Sequence, residues 1–339
     1  MSDVAADGSR LVLSSDQLAA QEQAFAALTK LIQGRTTLLF AGAGVSKPAG
    51  YPLWIELLSE LEVICGQCGP GFVPDPELRE SDPLLYADRV KRHIEAGTGS
   101  LKRYHKHLLK RFLEEPSIQQ FHRDIIDLPF RGFITTNYDR VLEATLSTKE
   151  PSPLEKSVVV GVDPGYIVHE YMRSLISPDS PRLVAHLHGY YRNPASIVLA
   201  ASDFTATYGS REEPKAERPV PSFLRHILAT WSLVFVGFSF SDPHLGVFLR
   251  AASNESELWG DGNHFALIDT TPESLGKNLE RARAYREEYG IETVFYEKRG
   301  ESHVALYNLV ANLSQAISRP KRSPILDAIN DRMSEEMRD

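Results

Sequence analysis

Thr37-Leu-Leu-Phe-Ala-Gly-Ala-Gly-Val-Ser46 decides the fold class of this 339-residue chain. Leu38, Leu39 and Phe40 form an apolar run too short and too continuous for an amphipathic helix, so they read as a strand buried on both faces. Gly42-Ala43-Gly44 breaks that strand, and a helix is expected after Pro52, from Trp54 to Ile64. A strand that enters a helix through a glycine turn presents free backbone N–H groups at a positive helix end. Glycines there keep Cβ atoms out of the path of a phosphate. Such a turn is weak evidence alone, because many strand–helix joints carry glycines. Three further segments have to agree with it.

Outward from this turn the chain has an α/β rhythm. Ser14 or Ser15 caps an expected helix running to about Ile32, with Leu18, Phe25, Leu28 and Leu31 as its apolar stripe. Residues 53–127 are mostly helical by pattern, are interrupted by the Gly/Pro-rich stretch 66–76, and show no strand signal; Asp82-Pro83 marks a helix start within them. Strands are expected at 132–136, 183–187, 197–199, 233–236, 265–268 and 292–295, with helices near 140–146 and 222–230. A polar, proline-framed excursion at 208–221 reads as a loop. The fold class is therefore α/β, Rossmann-like: a mainly parallel sheet with helices on both faces and a helical insertion at about 53–127. Residues 1–14 are expected to be a disordered N-terminus, 15–318 one domain, and 319–339 a charged tail.

Composition narrows the function. Apolar residues at 42% and charged ones at 24% suit a soluble globular chain, and a net charge of -8 argues against a broad electrostatic nucleic-acid surface. The basic run 91–110, with His93, His105 and His107, reads as the solvated face of helices. No stretch reaches the roughly 18 apolar residues of a membrane span, and the first fourteen residues lack a signal-peptide pattern. Cys65 and Cys68 are the two cysteines, too few for a disulfide framework, so a reducing cytoplasm is the expected location.

Three segments sit where chemistry is expected. Thr135-Thr136-Asn137-Tyr138-Asp139 lies at the carboxyl end of a strand, facing the crevice in which open α/β sheets bind ligands. An Asn amide there can hold a water or a ribose hydroxyl; equally, Asn137 and Asp139 can cap the next helix. His186-Leu187-His188-Gly189 ends another strand. Alternation puts both histidines on one face, where they can serve as a base, as metal ligands or as hydrogen-bonded structural groups. Val236-Gly-Phe-Ser-Phe-Ser-Asp-Pro-His244 follows a buried strand, so Gly237 and Ser239 can meet a phosphate or ribose from a second side. Asp242-Pro243 fits a cap and first helical residue.

In this order the segments resemble the sirtuin family, in particular its compact prokaryotic sirtuin-like branch associated with antiphage defence. Gly42-Ala-Gly-Val-Ser46 with Ala49-Gly-Tyr-Pro52 is similar to the family's glycine turn. Residues 135–139 are similar to its Thr-x-Asn-x-Asp strand end, His188-Gly189 to its catalytic His-Gly, and Gly237-Phe-Ser239 to its Gly-(Thr/Phe)-Ser turn. The resemblance implies NAD as substrate, held by Gly42, Ala43, Gly44, Ser46, Asp139, Gly237, Ser239 and Asp269, and cleaved at the nicotinamide–ribose bond by Asn137 and His188. His188, directly before the glycine, is the implied base; His186 is expected to matter much less.

The departures matter too. Pro52 is followed by Leu53, Trp54 and Ile55 instead of the deacetylase Asp-Phe-Arg. The two cysteine pairs of the family's structural zinc are also missing between the Asn strand and the nucleotide half. No zinc is expected, and water becomes the favoured acceptor, which makes the leading expectation an NAD glycohydrolase. An NAD-dependent protein deacylase and a non-catalytic NAD or ADP-ribose sensor are the alternatives. A homo-oligomer is the expected assembly, and whether a separately encoded partner such as a HerA-type ATPase completes it is left open by the sequence.

Overall fold

The apolar run before the glycine turn becomes the centre of a sheet. The structure, a computed structural model, describes residues 11–68, 71–149, 157–177, 179–210, 213, 215–240, 243–256, 264–300 and 303–318. In chain order, α1 (Ser15–Gln33) leads into β1 (Thr37–Ala41) and a single turn, α2 (Ala43–Ser46). Five helices follow with no strand among the described residues: α3 (Trp54–Cys68), α4 (Pro76–Ser81), α5 (Pro83–Thr98), α6 (Lys102–Leu113) and α7 (Gln120–Asp127). Then come β2 (Phe133–Thr135), α8 (Val141–Ser147), β3 (Ser157–Val159), α9 (Gly165–Ile176) and β4 (Val184–His186). After α10 (Ala201–Tyr208) and α11 (Pro219–Thr230), the chain continues through β5 (Ser232–Val236), α12 (Pro243–Ser256), β6 (His264–Thr270), α13 (Leu275–Tyr289), β7 (Ile291–Glu297) and α14 (Val304–Ser318).

The seven strands lie in the order β3-β4-β2-β1-β5-β6-β7, and every pairing is parallel. All five residues of β1 are buried. Its alternate side chains feed two cores: Leu39 joins Phe133, Val184 and Val234 on one face, while Leu38 and Phe40 join Ile134, Ala185 and Phe235 on the other. Burial on both faces explains why the strands read as continuous apolar runs. The order grows outward in both directions from the β1–β5 pair, so the carboxyl ends of these strands form the switch-point crevice of an open parallel sheet.

Local chemistry sets the helix starts. Ser14 caps α1 with a reciprocal capping box: its hydroxyl accepts from the Gln17 N–H, and the Gln17 side chain accepts from the Ser14 N–H. Asp82 caps α5 in the same position, accepting from the Leu85 N–H ahead of Pro83. Helices α3, α5 and α6 build a third core from Leu58, Leu61, Val90 and Leu108, which also takes in Tyr138 and Tyr190. The helical block is thereby fastened at the site end of the sheet.

Three expectations change. Residues 197–199 do not form a strand. They are buried, but the Val198 N–H donates to the His188 carbonyl and the Val198 carbonyl accepts from the Tyr138 hydroxyl, so the apolar run reports burial without strand pairing. Conversely, β3 adds an edge strand beside β4 that the pattern did not announce. The helix expected at 222–230 starts earlier, at Pro219, inside the excursion read as a loop. Asp242 and the tail after 318 fall outside the described residues, as do residues 1–10 of the expected disordered start.

Candidate active site

Three glycines make the crossing that shapes the crevice. The Gly42 N–H donates to the Val236 carbonyl at 3.0 Å, and the Gly44 N–H to the Gly237 carbonyl at 2.9 Å. A Cβ on Gly42 would stand 2.3 Å from the Gly237 oxygen, and one on Gly237, which has φ +62°, would stand 2.6 Å from the Val45 nitrogen. The sequence reading attributed these glycines to phosphate access. The physical reason in the structure is backbone crossing backbone, the close approach that only glycine permits. The N–H groups of Gly42, Gly44 and Val45 are correspondingly taken by protein carbonyls, and are not free at a helix end.

Beside this crossing lies a cavity of about 490 Å³. Ala43, Gly44, Ser46, Asn137, Asp139, His188, Gly237, Ser239 and Asp269 all line it, so residues scattered over some 230 positions converge on one space. Gly42 is not on the wall; it contributes its carbonyl to Asn137. His186 is not on the wall either. Trp54, Leu84 and Phe112 of the helical block form an apolar side, and Tyr296, Lys298 and His303 close the end beyond β7.

Asn137 is held at four points. Its N–H donates to Thr135 Oγ1 at 3.0 Å and its carbonyl faces His186 Nδ1 at 2.9 Å. Its Nδ2 donates to the Gly42 carbonyl and to Ser46 Oγ, each at 2.9 Å. A carbonyl only accepts, so the first of these contacts fixes which way the amide points. The amide oxygen is left as the group Asn137 can offer in the cavity. Asp139 is buried and accepts from the Val141 N–H at 2.9 Å at the start of α8. Burial raises its carboxyl above the ordinary range, against the pull of the Ser46 hydroxyl and the Val141 N–H.

His188 sits in an aromatic cage. Its Nε2 shares a 2.7 Å hydrogen bond with the Tyr208 hydroxyl, and the Phe204 ring meets its ring edge-on at 5.0 Å. Burial, reinforced by nearby His244, pulls its pKa down to about 3, so the imidazole is neutral at physiological pH. A neutral imidazole has one acceptor nitrogen, which is Nδ1 when Nε2–H donates to the Tyr208 hydroxyl, and at a pKa near 3 that nitrogen is a weak base. Gly189 follows with φ +88°, and a Cβ there would strike the Ser196 carbonyl at 2.3 Å; the turn that releases His188 from the strand is thus reserved for glycine.

Sequence reasoning missed Tyr208 and Phe204, which α10 delivers, and Lys298, which is the one lysine or arginine on the cavity wall among the described residues. None lies in a motif; only the alternation of strand and helix hints that the end of β7 joins the crevice. Among the described residues no group of three His, Cys, Asp or Glu is placed to hold a metal ion. Cys65 and Cys68 are buried within α3, and no described helix is long and apolar enough to cross a membrane.

A parallel sheet with a glycine crossing at its switch point and an Asn/His pair in one cavity defines an open α/β protein with a ligand-sized crevice at the carboxyl ends of its strands. More particularly, a family model described as a SIR2-like domain matches residues 131–294. It is similar to the NAD(+) hydrolase ThsA of Bacillus cereus (strain MSX-D12), 26% identical over 255 residues that cover 74% of this chain and 48% of that protein. It is also similar to the ThsA of Enterococcus faecium, 25% identical over 217 residues covering 64% of this chain and 40% of that one. The chain thus spans about half the length of these relatives or less. Among solved structures, a Sir2 homologue mutant in complex with ADP-ribose covers 87% of this chain and 98% of its own, at 14% identity and a TM-score of 0.41.

Proposed function

We propose that this protein is an NAD glycohydrolase that cleaves NAD with water to nicotinamide and ADP-ribose. The observation that carries the reading is Asn137: both N–H groups of its amide are committed to the glycine turn, while its amide oxygen shares a cavity with a neutral, buried His188. The similarity to ThsA hydrolases supports the substrate. In the reaction, the bond between the ribose anomeric carbon and the nicotinamide nitrogen breaks, and its electron pair leaves with nicotinamide. The Asn137 oxygen accepts a hydrogen bond from a water and aligns the water oxygen with the anomeric carbon. His188 takes a proton from that water or from a ribose hydroxyl as the new C–O bond forms. Gly44, Ser46, Gly237 and Ser239 stand where the pyrophosphate would run, with Lys298 at the Asp269 end to offset its charge.

Release of nicotinamide from NAD by the purified protein, with and without an acetylated peptide, tests the reading. Release that needs no peptide is expected; release that depends on the peptide would make the protein a deacylase, and binding without release a sensor. We also read the enzyme as a cytoplasmic antiphage effector gated by assembly, because an ungated NAD hydrolase would drain its own cell. Homo-oligomerisation, with or without an ATPase partner of the HerA type, is the gate this reading favours. Full activity in a strictly monomeric, dilute sample would contradict it.

A further inference from the structure

His186 lies off the cavity, fully buried, between two groups. Its Nδ1 is 2.9 Å from the Asn137 carbonyl, and its Nε2 is 2.7 Å from Glu143 Oε1 on α8. Because a carbonyl only accepts, Nδ1 must carry a proton, which leaves Nε2 to meet the carboxylate. The Tyr190 ring covers the imidazole at 4.5 Å, and Glu143 Oε2 is buried without a hydrogen-bond partner. The α8 carboxylate therefore has its polar contact on the imidazole. The imidazole in turn has its other contact on the Asn137 backbone carbonyl, one of the four points that hold Asn137.

We propose that Glu143 and His186 form a buried positioning pair for the proposed hydrolase, in which Glu143 fixes the imidazole and the His186 Nδ1–H fixes the Asn137 carbonyl. The pair touches no substrate. It completes the four-point hold that leaves the Asn137 amide oxygen one direction in which to point. The inference rests on the hydrolase reading for its kinetic consequence, but its geometry stands on Asn137 itself. A misplacement of about 1 Å at a reacting group lowers turnover by roughly 10²-fold.

Stereochemistry supplies a matched test. Asn places its Nδ2 where His carries Nδ1, and Gln places its Nε2 where His carries Nε2. His186→Asn therefore keeps the donor to Asn137, while His186→Gln keeps the donor toward Glu143 and drops Asn137. Both are made with Glu143→Gln so that no carboxylate is left buried opposite a neutral partner, and Glu143→Gln alone is the baseline. Two readouts are taken on variants whose circular dichroism matches the parent: kcat and KM for nicotinamide release, and the Asn137 signals under selective 15N-asparagine labelling. Expected is a loss of about 10²-fold in kcat for the Gln variant with KM little changed, and displaced Asn137 signals. The Asn variant should keep baseline kcat and Asn137 signals in place. Equal Asn137 signals in the two variants overturn the positioning role, as does equal kcat in the two variants of an active parent. A parent that releases no nicotinamide overturns the hydrolase reading only, because the Asn137 signals still decide the pair. Should both double variants fail to fold, 15N-histidine labelling of the parent decides: a slowly exchanging His186 Nδ1–H supports the pair, and an unprotonated Nδ1 overturns it.

Discussion

His186 and His188 stand two residues apart at the end of β4, both buried, and their surroundings make them different chemical species. Around His186 burial opposes charge, but the Glu143 carboxylate and the Asn137 carbonyl outweigh it and hold the imidazole above its ordinary pKa. Around His188 burial dominates, and with the neighbouring His244 it takes the pKa down to about 3. One is a ring biased toward its protonated form that holds the backbone, the other a neutral ring facing the cavity. Residue type sets what a side chain can do, and the groups packed around it set which of those things it does.

The largest expected effect on stability comes from breaking the charged side of this comparison. Glu143→Leu leaves a buried imidazole that must either stay charged and unpaired or lose its proton and a hydrogen bond. Destabilisation of about 3–5 kcal/mol is expected, measured by urea denaturation; a loss under about 1 kcal/mol would mean that the pair is not ionised.

Acid separates the two histidines by sign. The folded pKa of His188 lies below its unfolded value of 6.5, so its contribution is intact above 6.5 and is lost as pH falls from there toward about 3. His186 runs the other way: its contribution is full below 6.5 and is lost as pH rises through its raised folded value. His264, at about 4, adds to the His188 direction. The parent should lose stability on acidification at no more than about 1.4 kcal/mol per pH unit from each such group. His188→Phe should flatten that slope, seen in thermal melts across the window. An unchanged slope would place the acid sensitivity elsewhere.

The smallest expected effect is Tyr208→Phe. It removes the hydroxyl paired with His188 Nε2 while keeping the ring that cages it. A loss of about 0.5–1.5 kcal/mol is expected, with the protein still folded and NAD still bound by calorimetry. A collapse of binding would show that this hydroxyl, and not burial alone, sets the His188 ring.

The sheet was legible where strands are buried on both faces, because a run such as Leu38-Leu39-Phe40 has no other simple reading. The same logic misled at Ile197-Val198-Leu199, where burial comes from Tyr138 and His188 instead of a strand partner. Edge strand β3 spans three residues, and although Val158 and Val159 are apolar, so short a run does not by itself separate a strand from a loop. The candidate site was legible wherever its residues sit next to a strand end, as Asn137, His188 and Gly237 do. Glu143, Tyr208 and Lys298 were not, because nothing local distinguishes a carboxylate on α8 that pairs inward from one that faces water. The structure adds a physical reason for the glycine turn: Cβ atoms on Gly42 and Gly44 would strike the Gly237 backbone.

The two histidines also divide the chemistry, and His188→Ala beside the parent tests that most directly. Nicotinamide release from NAD is followed between about pH 5 and 8, the range in which an ordinary histidine titrates, with circular dichroism confirming the fold. The expected result is steady parental release with no titration near 6.5, and a loss of about 10²–10⁴-fold in folded His188→Ala, as removal of a general base gives. A folded His188→Ala that releases nicotinamide like the parent would contradict the assignment of His188 as the base.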